Sequence, residues 1–352
     1  MSALDLARAE LRVLQPYSSA RMEARGGSIL LNANESAWPP LEGDADINRY
    51  PEPQPARLVA ALADLYGVKT DQVLVGRGSD EAIDLLVRAF CRAGRDAVLI
   101  SPPTFGMYAI CARIQQAGVI EAPLRTDGAL DMDALLGGVS DAVRLVFVCA
   151  PNNPTGATVA RSEVERLLTE LDGRALLVVD EAYVEFADDA SVADLIAQHD
   201  HLVVLRTLSK AWALAGARVG TLLARTEIVS LLRRIMPPYP VPSPCAQAAL
   251  RALSPQGQLR MRERVAAIRA ERTRMRDMLS TIPCVRAVLP SQANFLCARF
   301  TDAGAAYGRL LAAGILVREL RRYSGLEDAL RITIGCAEEN ARVLAVLGEC
   351  AT

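Results

Sequence analysis

Short apolar runs recur along the middle of the chain, at QVLV (72–75), AVLI (97–100), VRLVFVC (143–149), ALLVVD (175–180), HLVVLR (201–206) and RVGTLLA (218–224). Most are rich in Val, Leu and Ile and have the length of strands, whereas the stretches 79–93, 104–117 and 161–171 carry helical spacing. Strands that are apolar on both faces and separated by helices predict a mostly parallel sheet covered by helices. Next comes MPPYPVPSP (236–244), a stiff connector, because its prolines fit neither a helix nor a central strand. A long charged amphipathic helix over 256–281, strands at 294–300 and 330–334 and helices at 302–313 and 337–350 then predict a compact α+β unit. Leu4, Ala7, Leu11 and Leu14 form one helical stripe, expected to pack on that unit. A chain of 352 residues exceeds the roughly 250–300 at which one core stops growing. The expected division is a large domain over 46–254 and a small domain built from both chain ends, 1–45 and 255–352.

Composition narrows the function. Hydrophobic residues make up 51% and charged residues 23%, the balance of a folded globular protein. Lys and Arg number 39 against 41 Asp and Glu, with no block of like charge, so nucleic acid is not an expected partner. The amino terminus does not read as a secretory signal and no apolar run reaches the roughly 20 residues of a membrane helix, so a cytoplasmic protein with no membrane partner is expected. The eight cysteines contain no CxxC pair, and Cys149, Cys297 and Cys336, in or beside apolar runs, read as reduced and structural. The two histidines, His199 and His201, read as a solvated turn; no metal site is expected, and any proton shuttle must be another group. Asn34-Glu35-Ser36 fits a glycosylation acceptor by coincidence, and Trp38-Pro39-Pro40 has no assigned role.

Ligands of open α/β sheets bind at the carboxyl ends of the strands, so the residues just after each strand carry the chemistry. After QVLV, glycines lead to Ser79 at a helix start, whose N–H groups suit a phosphate; an ordinary N-cap is the plainer reading. After AVLI come Phe105 and Tyr108, which could stack on a flat ring or simply pack in the core. APNNPTG (150–156) is a rigid turn. Asp180 ends a buried strand, where a carboxylate is costly unless it meets a cation or donor. After HLVVLR stand Lys210, in a Ser-Lys pair, and Arg218. A phosphate cradle, an amide, an acid and an amine thus fall at successive strand ends.

With those residues in view, the chain resembles the fold type I PLP-dependent aminotransferases, nearly end to end. The resemblance is carried by PYSSAR (16–21), LNANES (31–36), NRYPEPQP (48–55), RGSDEAIDLLVRAF (77–90), SPPTFGMY (101–108), APNNPTG, DEAYVEF (180–186), RTLSKAWALAGARVG (206–220), ALSPQGQ (252–258) and LRITIG (330–335). Several of these blocks look like the branch that acts on histidinol phosphate. The resemblance implies pyridoxal 5′-phosphate as cofactor, bound covalently through Lys210, which then acts as the general base. Asp180 would pair with the pyridine nitrogen, while Asn153 and Tyr183 would bond the ring's phenolic oxygen. Ser79, Asp80, Thr207, Ser209 and Arg218 would grip the phosphate and Phe105 would stack on the ring. Tyr50 would reach the cofactor phosphate of a neighbouring subunit, implying a homodimer with shared active sites. Arg331 would bind the substrate anion, with Arg318, Tyr17 and Asn34 in the same pocket; Arg318 reads equally as a surface charge. The implied reaction is amino transfer between histidinol phosphate and 2-oxoglutarate, yielding glutamate. Alternatives are an aromatic or broad-specificity aminotransferase, a phospho-amino-acid decarboxylase of the same fold, or a non-catalytic regulator on this scaffold.

Overall fold

A seven-stranded sheet in the order β1-β7-β6-β5-β4-β2-β3 forms the centre of the computed structural model, which describes residues 2–18, 29–41, 47–188 and 190–349. Residues 19–21 of the PYSSAR stretch and the boundary expected between residues 45 and 46 lie outside the described residues. The strands are β1 (Val73–Gly76), β2 (Ala97–Ile100), β3 (Gly118–Glu121), β4 (Val143–Cys149), β5 (Leu176–Asp180), β6 (Leu202–Thr207) and β7 (Gly220–Leu223). Strands β3, β2, β4, β5 and β6 run parallel, and β7 lies antiparallel between β6 and β1. Side chains alternate across the pleat, so Val146, Val148, Leu177 and Val179 enter one core while Leu145, Phe147, Leu176 and Val178 enter the other. Helices Ala56–Tyr66, Arg161–Leu171 and Ser243–Ala252 cover the first face; Ser79–Phe90, Met107–Ile114 and Thr226–Ile235 cover the second.

A second sheet, entirely antiparallel, has the order β10-β11-β9-β8 (Arg318–Glu319, Ala329–Thr333, Phe295–Phe300 and Val285–Val288). Helices Pro255–Leu279, Ala303–Ala312 and Ala337–Gly348 pack on it through Met275, Leu310, Val343 and Leu347. Proline ends the connector earlier than expected. Pro244 lies in the first turn of the Ser243–Ala252 helix, where a missing N–H costs no hydrogen bond. The long helix buries few of its positions, and one of them is Arg272, which donates to Phe186 O at 3.1 Å and Ala293 O at 2.9 Å. That guanidinium ties the loop after β5 to the approach to β9.

Two expectations are corrected. The N-terminal stripe packs on the large sheet's helices, not on the C-terminal unit: Ala3, Leu6 and Ala7 are buried in the core on the sheet's second face, their segment touches the Thr226–Ile235 helix, and Arg8 N donates to Ala89 O at 3.0 Å. A short 3-10 turn at Ala3–Leu6 rotates those residues inward and leaves Leu14 half-exposed. His201 does not sit in a solvated turn; it is buried, with Nε2 2.9 Å from Leu168 O and Nδ1 facing Asp200 at 3.5 Å. Of the cysteines, Cys149 and Cys297 are buried, whereas Cys336 is exposed ahead of the last helix; all seven described are free thiols.

Candidate active site

The carboxyl ends of β4 and β5 meet, with Cys149 opposite Asp180, and β6 runs on to Thr207 past Leu205, the partner of Asp180, so their following loops open into one cavity of about 460 Å³. Ser79, Asp80, Phe105, Asn153, Asp180, Tyr183, Thr207, Ser209, Lys210, Arg218, Arg318 and Arg331 all line it.

One end of the cavity is built for an anion. Ser79 begins its helix but is not the cap; Gly78, at φ 87°, takes that position and offers no side-chain oxygen, leaving the first-turn N–H groups of Ser79 and Asp80 uncapped. Strand β7 starts hard against this turn, since a Cβ on Gly220 would lie 2.2 Å from Gly78 C and 2.4 Å from Ser79 N. The close approach brings in Arg218, held in the left-handed region at φ 53°. Its guanidinium lies 3.1 Å from Asp80 Oδ2 and 3.4 Å from Ser209 Oγ, while Thr207 Oγ1 accepts from Ser209 N at 3.1 Å. The helix-start N–H groups, the Arg218 guanidinium and the hydroxyls after β6 thus surround a position suited to a phosphate.

At the floor lies Asp180, 2% exposed. Its Oδ2 accepts from the Tyr108 hydroxyl at 2.7 Å and its Oδ1 from Ala182 N at 3.1 Å. Burial pushes its pKa up to about 6, against the pull of these two donors. Lys210 extends toward the same floor, its amine 5.5 Å from the Tyr183 ring centre. Although its side chain is open to the cavity, the amine sits among protein atoms; desolvation first, and the Arg331 charge second, lower its pKa. A lysine so placed reaches the neutral, nucleophilic form more readily than a surface lysine.

On the far wall, Asn153 Nδ2 donates to the Tyr183 hydroxyl at 3.3 Å, and Arg331 Nη1 donates to Asn153 Oδ1 at 2.5 Å. The Arg331 guanidinium lies 5.3 Å over the Phe295 ring, and its Nε is buried with no hydrogen-bond partner. Arg318 is its direct cross-strand neighbour. Like charges opposed across a ladder repel, so an anion between them relieves the pair.

Not every expected residue reaches this cavity. Tyr17 lines a separate groove with Pro53, Gln54 and Met236, because residues 14–18 run past Arg234 on the outside of the large sheet. Asn34 is also absent from the cavity lining, and Tyr50 stacks on Tyr239 with centroids 4.6 Å apart, half-exposed. Within this single chain, neither Tyr17 nor Asn34 lines the cavity. Conversely, Cys149, Ile110 and Tyr323 line the cavity and were not singled out for chemistry, while Tyr108, expected either to stack on a flat ring or to pack in the core, packs in the core and bonds Asp180. For Tyr108 the signal was a polar tip on an otherwise apolar helix face. A buried Arg206, 3.1 Å from Glu181 and 2.8 Å from Glu185, also fixes the loop after β5 to β6, and nothing in its local sequence spacing announces it. The lysine count was a further overlooked signal: the chain has only two, Lys69 and Lys210.

Comparison with known proteins adds independent findings. Residues 29–347 match the family model for aminotransferase class I and II. The chain is 55% identical over 349 residues to a histidinol-phosphate aminotransferase of Stenotrophomonas maltophilia, covering 98% of this chain and 96% of that one. It is 52% identical over 352 residues to the protein of the same name from Xanthomonas euvesicatoria, covering 98% and 97%. Among solved structures, the histidinol-phosphate aminotransferase of Sinorhizobium meliloti in complex with pyridoxal 5′-phosphate superposes with a TM-score of 0.77 at 26% identity, over 86% of this chain and 83% of that one.

Proposed function

The chain belongs to the class I and II aminotransferases, and on that premise we propose that it transfers the amino group of L-histidinol phosphate to 2-oxoglutarate, giving imidazole acetol phosphate and L-glutamate. Full-length relatives named for this activity support the substrate pair. The observation that carries the reading is the convergence of the Lys210 amine, the Asp180 carboxylate and the Arg331 guanidinium, from three different elements, on one cavity.

The cofactor is pyridoxal 5′-phosphate, and the residues present fit it. A glycine-lined turn that a single Cβ would close faces Arg218, and a buried carboxylate stands where a ring nitrogen needs one. When bound, the cofactor supplies a protonated ring that accepts the electron pair left at the substrate Cα. Lys210 would hold the cofactor through its amine and, when that amine is free, would serve as the general base at the substrate Cα. Asp180 keeps a proton at the ring nitrogen. Asn153 and Tyr183 hold the phenolic oxygen, Phe105 covers the ring, and Ser79, Asp80, Thr207, Ser209 and Arg218 retain the phosphate. Arg331, aided by Arg318, reads the anion of either substrate, because its planar fork fits phosphate and carboxylate oxygens alike.

Tyr17, Asn34 and Tyr50 fit the reading if a second copy of the chain supplies them to its neighbour's cavity, which makes the enzyme a homodimer with shared sites. Ile29, Leu31 and Trp38 lie close to them in sequence and are each more than three-quarters exposed, an apolar surface of the kind a partner covers. The reading places this small-molecule enzyme in the cytosol; no helix among the described residues is long and apolar enough to cross a membrane. Incubation with L-histidinol phosphate and 2-oxoglutarate should yield glutamate at the rate at which histidinol phosphate disappears. Release of carbon dioxide from a phosphorylated amino acid, with no glutamate formed, would contradict the assignment.

A further inference from the structure

Tyr108 stands behind Asp180 and Phe105 and is not itself among the residues that line the cavity. It is fully buried, and its ring is fixed on two sides: stacked on Phe147 with centroids 4.6 Å apart and planes 9° from parallel, and edge-on to Phe105 at 5.6 Å and 83°. With the ring held, the hydroxyl lies 2.7 Å from Asp180 Oδ2, with the Cys149 thiol also beside it. Burial and the neighbouring Asp180 hold the Tyr108 pKa well above its ordinary value, so the phenol keeps its proton and donates. Because Ala182 N donates to the other oxygen, the carboxylate has both oxygens tied and its aim settled before any ligand arrives.

We propose that Tyr108 is a positioning residue that holds the Asp180 carboxylate charged and aimed at the cofactor's ring nitrogen while propping Phe105 against the ring face. One side chain would then govern both the acid and the aromatic cover. This inference rests on the proposed function, since it concerns how the same cofactor is retained. The groups facing Asp180 are Tyr108 from the Met107–Ile114 helix, Cys149 at the end of β4, Asp80 from the Ser79–Phe90 helix, Glu181 beside it in the chain, and Lys210 and Tyr183 across the cavity. Tyr108 is the only side chain among the described residues that donates a hydrogen bond to it. Without that donor, burial acts against the carboxylate with Ala182 N as its remaining hydrogen-bond donor, so the acid takes up its proton at higher pH and loses its attraction for a protonated ring.

The test is a double-mutant cycle of Tyr108→Phe and Asp180→Asn, reading pyridoxal 5′-phosphate affinity by equilibrium dialysis across pH, with thermal melting of each apoprotein. Tyr108→Phe keeps the ring and its packing. It should weaken cofactor binding about 10- to 150-fold, the scale of one hydrogen bond to a charged group, and move the midpoint of binding on the acid side to higher pH. In the Asp180→Asn background the same change should have little further effect. Equal affinity and an unmoved midpoint, or the same loss in both backgrounds, would overturn the proposal. Should Tyr108→Phe fail to fold, 3-fluorotyrosine at position 108, a stronger donor, should lower the midpoint, and no movement there would also overturn it. Failure of the unaltered protein to take up the cofactor would instead count against the proposed function, which keeps the two outcomes apart.

Discussion

Replacing Arg331 by Gln tests whether one guanidinium serves both substrates. Arg331 bonds Asn153 at 2.5 Å, covers Phe295 and keeps a buried Nε without a partner, so its donor capacity is not fully spent within the chain. A hydrogen bond to a charged group contributes about 1.5–3 kcal/mol. At about 1.4 kcal/mol per tenfold, losing it should lower kcat/KM by about 10- to 150-fold. The loss should fall on histidinol phosphate and on 2-oxoglutarate alike, because both anions meet the same fork. A second effect follows from charge. Arg331 is, after desolvation, the main influence lowering the Lys210 pKa. Removing it lets the lysine keep its proton to higher pH, so the pH needed for half-maximal covalent capture of pyridoxal 5′-phosphate should rise. Arg331→Lys should spare that pH shift while still weakening both substrates, since a point charge lacks the fork. Stopped-flow measurement of the two half-reactions over pH resolves these outcomes. A variant that lost only one substrate would refute the shared-anion reasoning.

Other perturbations address the cradle, the buried acid and the junction. Gly220→Ala puts a methyl 2.2 Å from Gly78 C, so β7 and the Ser79 turn must part; cofactor affinity should fall together with the melting temperature, and an unchanged affinity would show that the close approach is dispensable. Asp180 has a folded pKa of about 6 against a reference of 3.8. Because the folded value is raised, the group favours the apoprotein most below the reference value and that contribution is lost as pH rises toward 6, by about 3 kcal/mol at most. A bound protonated ring relieves this loss, so the melting-temperature gap between holoenzyme and apoprotein should widen from mildly acid to neutral pH; a gap that stays constant would contradict it. Arg272→Met strands the carbonyls of Phe186 and Ala293, a cost of about 1–3 kcal/mol each, readable as a lower denaturant midpoint.

The parallel core was legible because its strands are apolar on both faces: the expected runs at 97–100 and 143–149 match β2 and β4 residue for residue. Strands β3 and β8 escaped for the opposite reason. GVIE and VRAV are partly or fully exposed along their length and leave no apolar signature. The strand-end residues Asp180 and Lys210 were readable because each breaks a local rule, a carboxylate closing a buried run and a lysine set between buried residues. The bond of Tyr108 to Asp180 and the role of Arg206 were not, since a buried polar group is recognised by its partner, and the partners of these two lie 72 and 25 residues away. The N-terminal stripe was misplaced because periodicity shows which face is apolar but not which surface it meets, and a 3-10 turn alters even the face.

The central claim is that Lys210 carries the cofactor. With two lysines in the chain, reduction of the protein–pyridoxal 5′-phosphate complex by borohydride, followed by peptide mass spectrometry, decides it. The account predicts one phosphopyridoxyl group per chain, on the peptide containing Lys210, and its release before reduction when L-histidinol phosphate is added. Label on Lys69, or none that histidinol phosphate can displace, would contradict it.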